Sequence, residues 1–202
     1  MDTVSFFLMG HGRLHSAEVA GGTPYADRVF AGLTDDQMRA RPGRGLNSLV
    51  WLLWHMARTE DAAVNLVVAG HPQLLDDDWR HRLNVPWRTI GTGMTDDEVS
   101  ELSAHADVAA VRAYRSAVGL QTREVVTALR PQAWDEILGI ADTAPANTVG
   151  AFARGWVDGV GYRAWQGHSR AAQLASSAIA HNAMHLGEAI TVRSQAGFGL
   201  GI

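Results

Sequence analysis

Leu49-Val50-Trp51-Leu52-Leu53-Trp54-His55-Met56-Ala57 decides the fold: it is apolar throughout except for one histidine. The run extends without Pro or Gly from Asn47 to Ala69. Asn47 or Ser48 supplies an N-cap and Gly70 a stop, so the segment reads as one helix. Within it Ser48, Leu52, His55, Thr59, Ala62 and Leu66 recur at alternating spacings of four and three, the mark of a single inward stripe. The histidine therefore faces a core.

Three further helical stretches surround this one. The first runs roughly from Arg13 to Ala40, broken near Gly21-Gly22-Thr23-Pro24, with a capping pattern at Thr34 to Gln37. The third starts at the capping box Thr95-Asp96-Asp97-Glu98 and runs to Arg130. The fourth spans Ser169 to about Gln195, stopped by Gly197. Between them, 71–94 reads as a long ordered loop. The segment 132–167 reads as irregular, with short helices around Trp134 and over 151–165. Loops this long in a compact domain tend to be functional or to close over something. The pattern predicts an all-α fold, one domain over 1–202.

Composition narrows the function. Charged residues make up 19% and the net charge is −4, with no basic stripe, so nothing here calls for nucleic acid. The chain has no cysteine, which excludes disulfides, thiolate ligands and a cysteine nucleophile. The start lacks a basic n-region and a small-residue cleavage site. No stretch reaches the ~18 apolar residues that span a bilayer. A cytoplasmic protein with no membrane partner is expected. All 17 basic residues are arginine.

The fourth stretch carries His181-Asn182-Ala183-Met184-His185. Residues four apart on a helix are neighbours, about 5–6 Å between Cβ atoms, so two imidazoles at that spacing can address one ion. Leu174, Ala178, His181, His185, Glu188 and Val192 repeat the four–three stripe, so this pair faces inward as His55 does. A lone histidine on an apolar stripe is more often a core residue than a ligand. Three of them on two core stripes, among Leu, Ala and Met that offer few partners, suggest a shared metal ion.

These residues resemble a known family. Asn47 to Asp61 resembles the second-helix motif of the DinB-like superfamily, and His181 to Ala189, with Arg193 and Gly197, resembles its last-helix motif. The likeness covers the chain from about residue 10 to the end, specific in the two histidine motifs and loose elsewhere. It implies a four-helix bundle with a long crossover connection, often a homodimer. It implies a divalent metal, zinc first and nickel, iron or manganese as alternatives, held by His55, His181 and His185. Characterised relatives include mycothiol-, bacillithiol- and glutathione-dependent transferases and isomerases, so a low-molecular-weight thiol such as mycothiol is the implied cosubstrate.

Three nitrogen ligands with open positions describe a catalytic metal rather than a structural one. Such an ion lowers the pKa of a bound thiol or water, which points to an S-transferase or isomerase acting on small-molecule electrophiles. A non-catalytic metal- or ligand-binding stress protein is the alternative. Glu188 lies one turn beyond His185: a catalytic base, a fourth ligand, a partner to a ligand histidine, or a structural carboxylate paired with Arg193. Glu60 and Asp61, one and a half turns past His55, are expected in structural ion pairs with Arg58, Arg13 or Arg28. His11 and His15 share the four-residue spacing, but between Gly10 and Gly12 near the N-terminus they are expected on a solvated face. Arg80, Arg82 and Arg88 form a basic cluster. Trp79, Trp87, Trp156 and Trp165 are candidates for lining a pocket mouth.

Overall fold

The computed structural model describes the backbone of residues 1–152 and 162–202, with side chains for all of these except 162 and 163. Helix α1 (Thr3–Leu14) is followed by the short α2 (Ala17–Ala20), α3 (Tyr25–Phe30) and α4 (Asp35–Arg39). Then come α5 (Leu49–Asp61), continued as a π-helix over Ala62–Ala69, α6 (Asp77–Leu83), α7 (Asp96–His105) and α8 (Val108–Ala128). A 3-10 turn (Pro131–Asp135) and α9 (Ile140–Thr148) precede α10 (Arg170–Leu174), a π-helix (Ala175–Ala180) and α11 (His181–Gln195). No strand occurs among the described residues. None of the described helices is long and apolar enough to cross a membrane.

Helices α1, α5, α8 and α11 form the bundle. α5 packs on α8 and α11, and α1 packs on the same two, so α1 and α5 face each other across the core. Every residue of α5 is buried, Arg58, Glu60 and Asp61 included, so its charged side chains must find partners inside the fold. Ser48 caps it, accepting from the Trp51 amide at 3.1 Å.

Several boundaries differ from the sequence reading. Helix α1 starts at Thr3, capped by Asp2, and runs through both glycines. His11 and His15, expected on a solvated face, are fully buried instead. The stretch from Thr95 to Arg130 is two helices: Asp107 turns the chain and caps α8, accepting from the Ala110 amide at 2.8 Å. The 71–94 loop contains α6, and the 132–167 segment contains α9, neither foreseen. The turn around Trp134 is present. Most of the helix expected over 151–165, Trp156 included, lies outside the described residues.

The lysine-free composition acquires a structural use. Helix ends leave carbonyls without partners, and arginines bind them. Arg115 reaches Leu14 O at the end of α1 (2.9 Å), Arg112 reaches Phe30 O at the end of α3 (3.1 Å), and Arg39 reaches Ala106 O just past α7 (2.7 Å). Arg193 donates to Val29 O and Ala31 O rather than to Glu188.

Asp61 ties the first loop to the bundle. Its carboxylate pairs with Arg58 at 3.1 Å and accepts from Tyr114 Oη, Asn65 Nδ2 and the amides of Leu74 and Leu75. The ion pair expected for Asp61 is therefore present, within α5 rather than between helices. Arg58 also donates to Gln73 and to Arg88 O, 2.9 Å, fixing both ends of the segment that delivers Ile90.

Close approach of α8 to the His15 segment depends on Gly119, where a Cβ atom would lie 2.6 Å from His15 Nδ1 and 3.0 Å from Val19. Gly119→Ala gains about 1 kcal/mol of helix propensity, but overpacking a dry core costs about 1–3 kcal/mol. A net loss of unfolding free energy in urea titration is expected; an unchanged or raised value would show that α8 does not sit this close.

Candidate metal centre

His55 comes from the middle of α5; His181 and His185 come from the first two turns of α11, directly after the π-helix over Ala175–Ala180. Such wide turns are frequent at functional sites. The three rings meet edge to face, with centroids 4.9 Å (His55–His181), 4.8 Å (His55–His185) and 4.5 Å (His181–His185) apart. One ring nitrogen of each lies within 4.8 Å of the others, a grouping that can hold a metal ion. His55 and His185 are buried and His181 is partly so.

What fixes the His55 and His185 rings is the partner of the far nitrogen. His55 Nδ1 donates to the carbonyl of Ile90. The Trp51 ring stacks on His55 at 4.7 Å. Gly91 lets the Ile90 carbonyl come this close: its φ is +93°, and a Cβ there would meet the Trp54 ring at 2.6 Å. His185 Nδ1 donates to Glu188 at 2.7 Å, and the other Glu188 oxygen accepts from Asn47 at 2.9 Å. That hydrogen bond from His185 is the main cause of the lowered Glu188 pKa. With the Nδ1 protons committed, the neutral form of each of these two rings carries its lone pair on Nε2.

His181 Nε2 lies 3.1 Å from His55 Nε2. Two nitrogens held about 2.0–2.1 Å from one tetrahedral ion stand about 3.4 Å apart, so the spacing fits. A proton on His181 Nε2 can serve one of the two lone pairs, not both; a cation serves all three nitrogens. Burial pushes His55 down to about 4 and His181 to about 2, with the neighbouring imidazoles adding to the His181 shift, so these two rings are neutral, the form that ligates.

A second cluster, His11, His15 and Glu60, has the same compactness and is fully buried. Its proton arrangement is the reverse. His11 Nε2 lies 2.8 Å from Glu60 Oε1 and His15 Nε2 3.0 Å from Oε2. Thr122 Oγ1 donates to Oε1 and Asn182 Nδ2 to Oε2, both at 2.7 Å. Each carboxylate oxygen thus accepts twice, and the Nε2 atoms carry protons rather than lone pairs. The imidazoles overcome burial and hold the Glu60 carboxyl well below its usual range. Arg115, buried beside the cluster, supplies the compensating positive charge; burial lowers its pKa only to about 10. After burial, Arg115 is the next cause that drives His15 to about 3. A dication would add charge beside Arg115, so these residues form a hydrogen-bonded hub. The expected arginine partner of Glu60 is replaced by two histidines, and the repeated four-residue spacing in α1 was the available signal.

The weaker candidates are placed as follows. Arg80 and Arg88 both pair with Asp77, at 2.9 and 2.7 Å, and Arg82 lies over the Trp79 ring. Trp79 also packs on Tyr114 and Trp165 on Phe152, while Trp87 borders the main core cluster.

Comparison with known proteins places the chain. A sequence model of the DinB superfamily matches residues 24–189. The chain belongs to the DinB superfamily. That match takes in all three clustered histidines and Glu188. No curated protein matches the chain. Among solved structures, a conserved protein from Enterococcus faecalis superposes with a TM-score of 0.70 at 19% identity, covering 97% of this chain and 98% of that one. At that identity the likeness speaks for a shared fold alone.

The depressed histidines set a pH dependence. Unfolded histidine titrates near 6.5, whereas His55, His15 and His181 in the fold titrate at about 4, 3 and 2. Below about pH 6.5 the unfolded chain binds more protons, so stability falls as pH drops from about 6.5 toward about 4. Melting of the metal-free protein should show Tm decreasing across that window, by on the order of 10 °C. A flat Tm would mean that the rings are not buried as neutral bases.

Proposed function

We propose that His55, His181 and His185 hold a divalent ion through their Nε2 atoms and that the chain is a metal-dependent enzyme. Its reaction is thiol transfer to, or isomerisation of, a small electrophile. The observation that carries this reading is the commitment of Glu188. With one oxygen on His185 and the other on Asn47, it is engaged as an orienting group rather than a fourth ligand. Three protein ligands leave a position open, as catalytic sites do.

A divalent ion bound there supplies Lewis acidity that favours the deprotonated, nucleophilic form of a thiol or water. The chain's own residues do the rest. Ile90 O and Glu188 hold His55 and His185 in the tautomer that offers Nε2. Burial suppresses competing protonation of His55 and His181. Trp51, stacked on His55, shields that ring from water. Glu188, as a carboxylate whose pKa is lowered by His185, strengthens that ligand by accepting its proton. An all-nitrogen set suits zinc first, with nickel, iron and manganese also accepted. Mycothiol is the proposed thiol, and the cytoplasm the proposed location. A homodimer is part of the proposal: Met9 and Leu120, exposed apolar residues of α1 and α8, border adjoining grooves that share Leu8 and Arg123. A non-catalytic metal-binding protein is the second reading, favoured by how little of the site meets solvent, His55 being 4% exposed and His185 9%.

Elemental analysis of tag-free protein tests both readings. About one ion per chain is expected in the wild type and none in His55→Ala or His185→Ala. The loaded protein should then consume a low-molecular-weight thiol in the presence of a generic electrophile. A wild type that stays metal-free after reconstitution with zinc, nickel, iron or manganese would sink both. Stoichiometric metal without thiol consumption would favour the binding protein.

A further inference from the structure

Helices α5 and α11 supply all three proposed ligands, and something must set their separation and rotation. Geometry at such a site has to hold to roughly half an ångström, and apolar packing is non-directional. One directional contact is the Asn47–Glu188 bond at the start of α5; the one within the helices, buried on every side, lies at the hub. Glu60 stands five residues past His55 on α5, a rise of about 7.5 Å; Asn182 is the residue after His181 on α11. Asn182 Nδ2 donates to Glu60 Oε2 at 2.7 Å and also to Ala178 O at 2.9 Å, while its Oδ1 accepts from Arg115 on α8 at 3.4 Å. An amide has one donor end and one acceptor end, so this arrangement fits only one rotation of α11. Glu60 is itself fixed from α1 by His11 and His15 and from α8 by Thr122.

We propose that Glu60 and Asn182 are the positioning pair of the metal centre, a carboxylate–amide bond that locks α11 against α5 beside the histidines. The inference rests on the three-histidine reading. Losing such outer partners typically weakens metal affinity about 10–100-fold. Asn182 touches neither substrate nor ion; its effect passes through the placement of His181 and His185.

Cobalt(II) is the probe, because its visible absorption reports ligand geometry as well as occupancy. Wild type, Asn182→Ala and Asn182→Asp are titrated, with Val126→Ala as a control for lost stability elsewhere in the core; Val126 is fully buried in a separate cluster. Asn182→Asp keeps the side-chain size and the Arg115 contact but sets a second carboxylate against Glu60, so it decides the matter if the alanine variant does not fold. The expected result is one cobalt per wild-type chain. The folded Asn182 variants should bind it about 10–100-fold more weakly with an altered d–d spectrum, and Val126→Ala should keep the wild-type spectrum. A wild-type spectrum and affinity in a folded Asn182 variant would overturn the positioning role while leaving the three-histidine site standing. No cobalt in the wild type would remove that site and this inference with it. Two ions per wild-type chain, one lost on His11→Ala, would show the hub to be a second metal site and overturn the proposal in that way.

Discussion

An ionised carboxylate at the centre of a bundle is tolerable only if donors meet it from every side. Glu60 meets that condition with two histidines from α1, a hydroxyl from α8 and an amide from α11. One side chain of α5 therefore constrains the other three bundle helices at once. Removing any donor strands part of a buried charge, a heavier penalty than losing apolar contact of the same size. The tight approach of α8 at Gly119 and the reach of Arg115 to the end of α1 serve the same condition, since both depend on where His15 and Leu14 lie.

Much of this was legible in the sequence, for a physical reason. His55, His181 and His185 could be placed on inward faces because helical periodicity is a local property. The four-residue spacing of the pair is also set within one helix. The tertiary step, that the two stripes face one another, rested on the lack of other partners for three inward histidines, and the family likeness strengthened it. What escaped was the hub. His11 and His15 have the spacing of the ligand pair, but adjacent glycines suggested a loose, solvated terminus. In the fold, α1 is capped by Asp2 and packed through Phe7 on Trp134, so the glycines do not fray it. Glu60 was expected to pair with arginine because carboxylates on helices ordinarily find one. The helix is buried all round, so the partners came from whichever helices closed over it. Sequence periodicity says which residues point inward; it does not say which inward residues from distant helices will meet.

The arginine-only composition also has consequences beyond base composition. Guanidinium offers five donors in a planar fork. Arg58 uses it to hold Asp61, Tyr114, Gln73 and the Arg88 carbonyl together. An ammonium has three donors and no preferred plane, and is more strongly hydrated, so it is a poorer occupant of such a buried position. Through Arg88, this contact reaches the segment whose Ile90 carbonyl orients His55. The ring's tautomer is thus set by a loop, and the loop by an ion pair in the same helix.

The two histidine clusters show why compactness alone does not identify a metal site. Both bring three ligand atoms within 4.8 Å. In the hub, the near nitrogens face carboxylate oxygens, carry protons and need nothing more. In the other, a backbone carbonyl and Glu188 take the far protons of His55 and His185, and the near nitrogens are left as bases aimed at a shared point. The first arrangement is electrically closed, with Arg115 balancing Glu60. The second turns its near nitrogens toward one point, and Glu188 is placed to polarise His185 rather than to share that point. The direction in which protons are committed, toward a carboxylate between the rings in the hub and away from the shared point at His55 and His185, separates a closed polar core from a cluster that could take an ion.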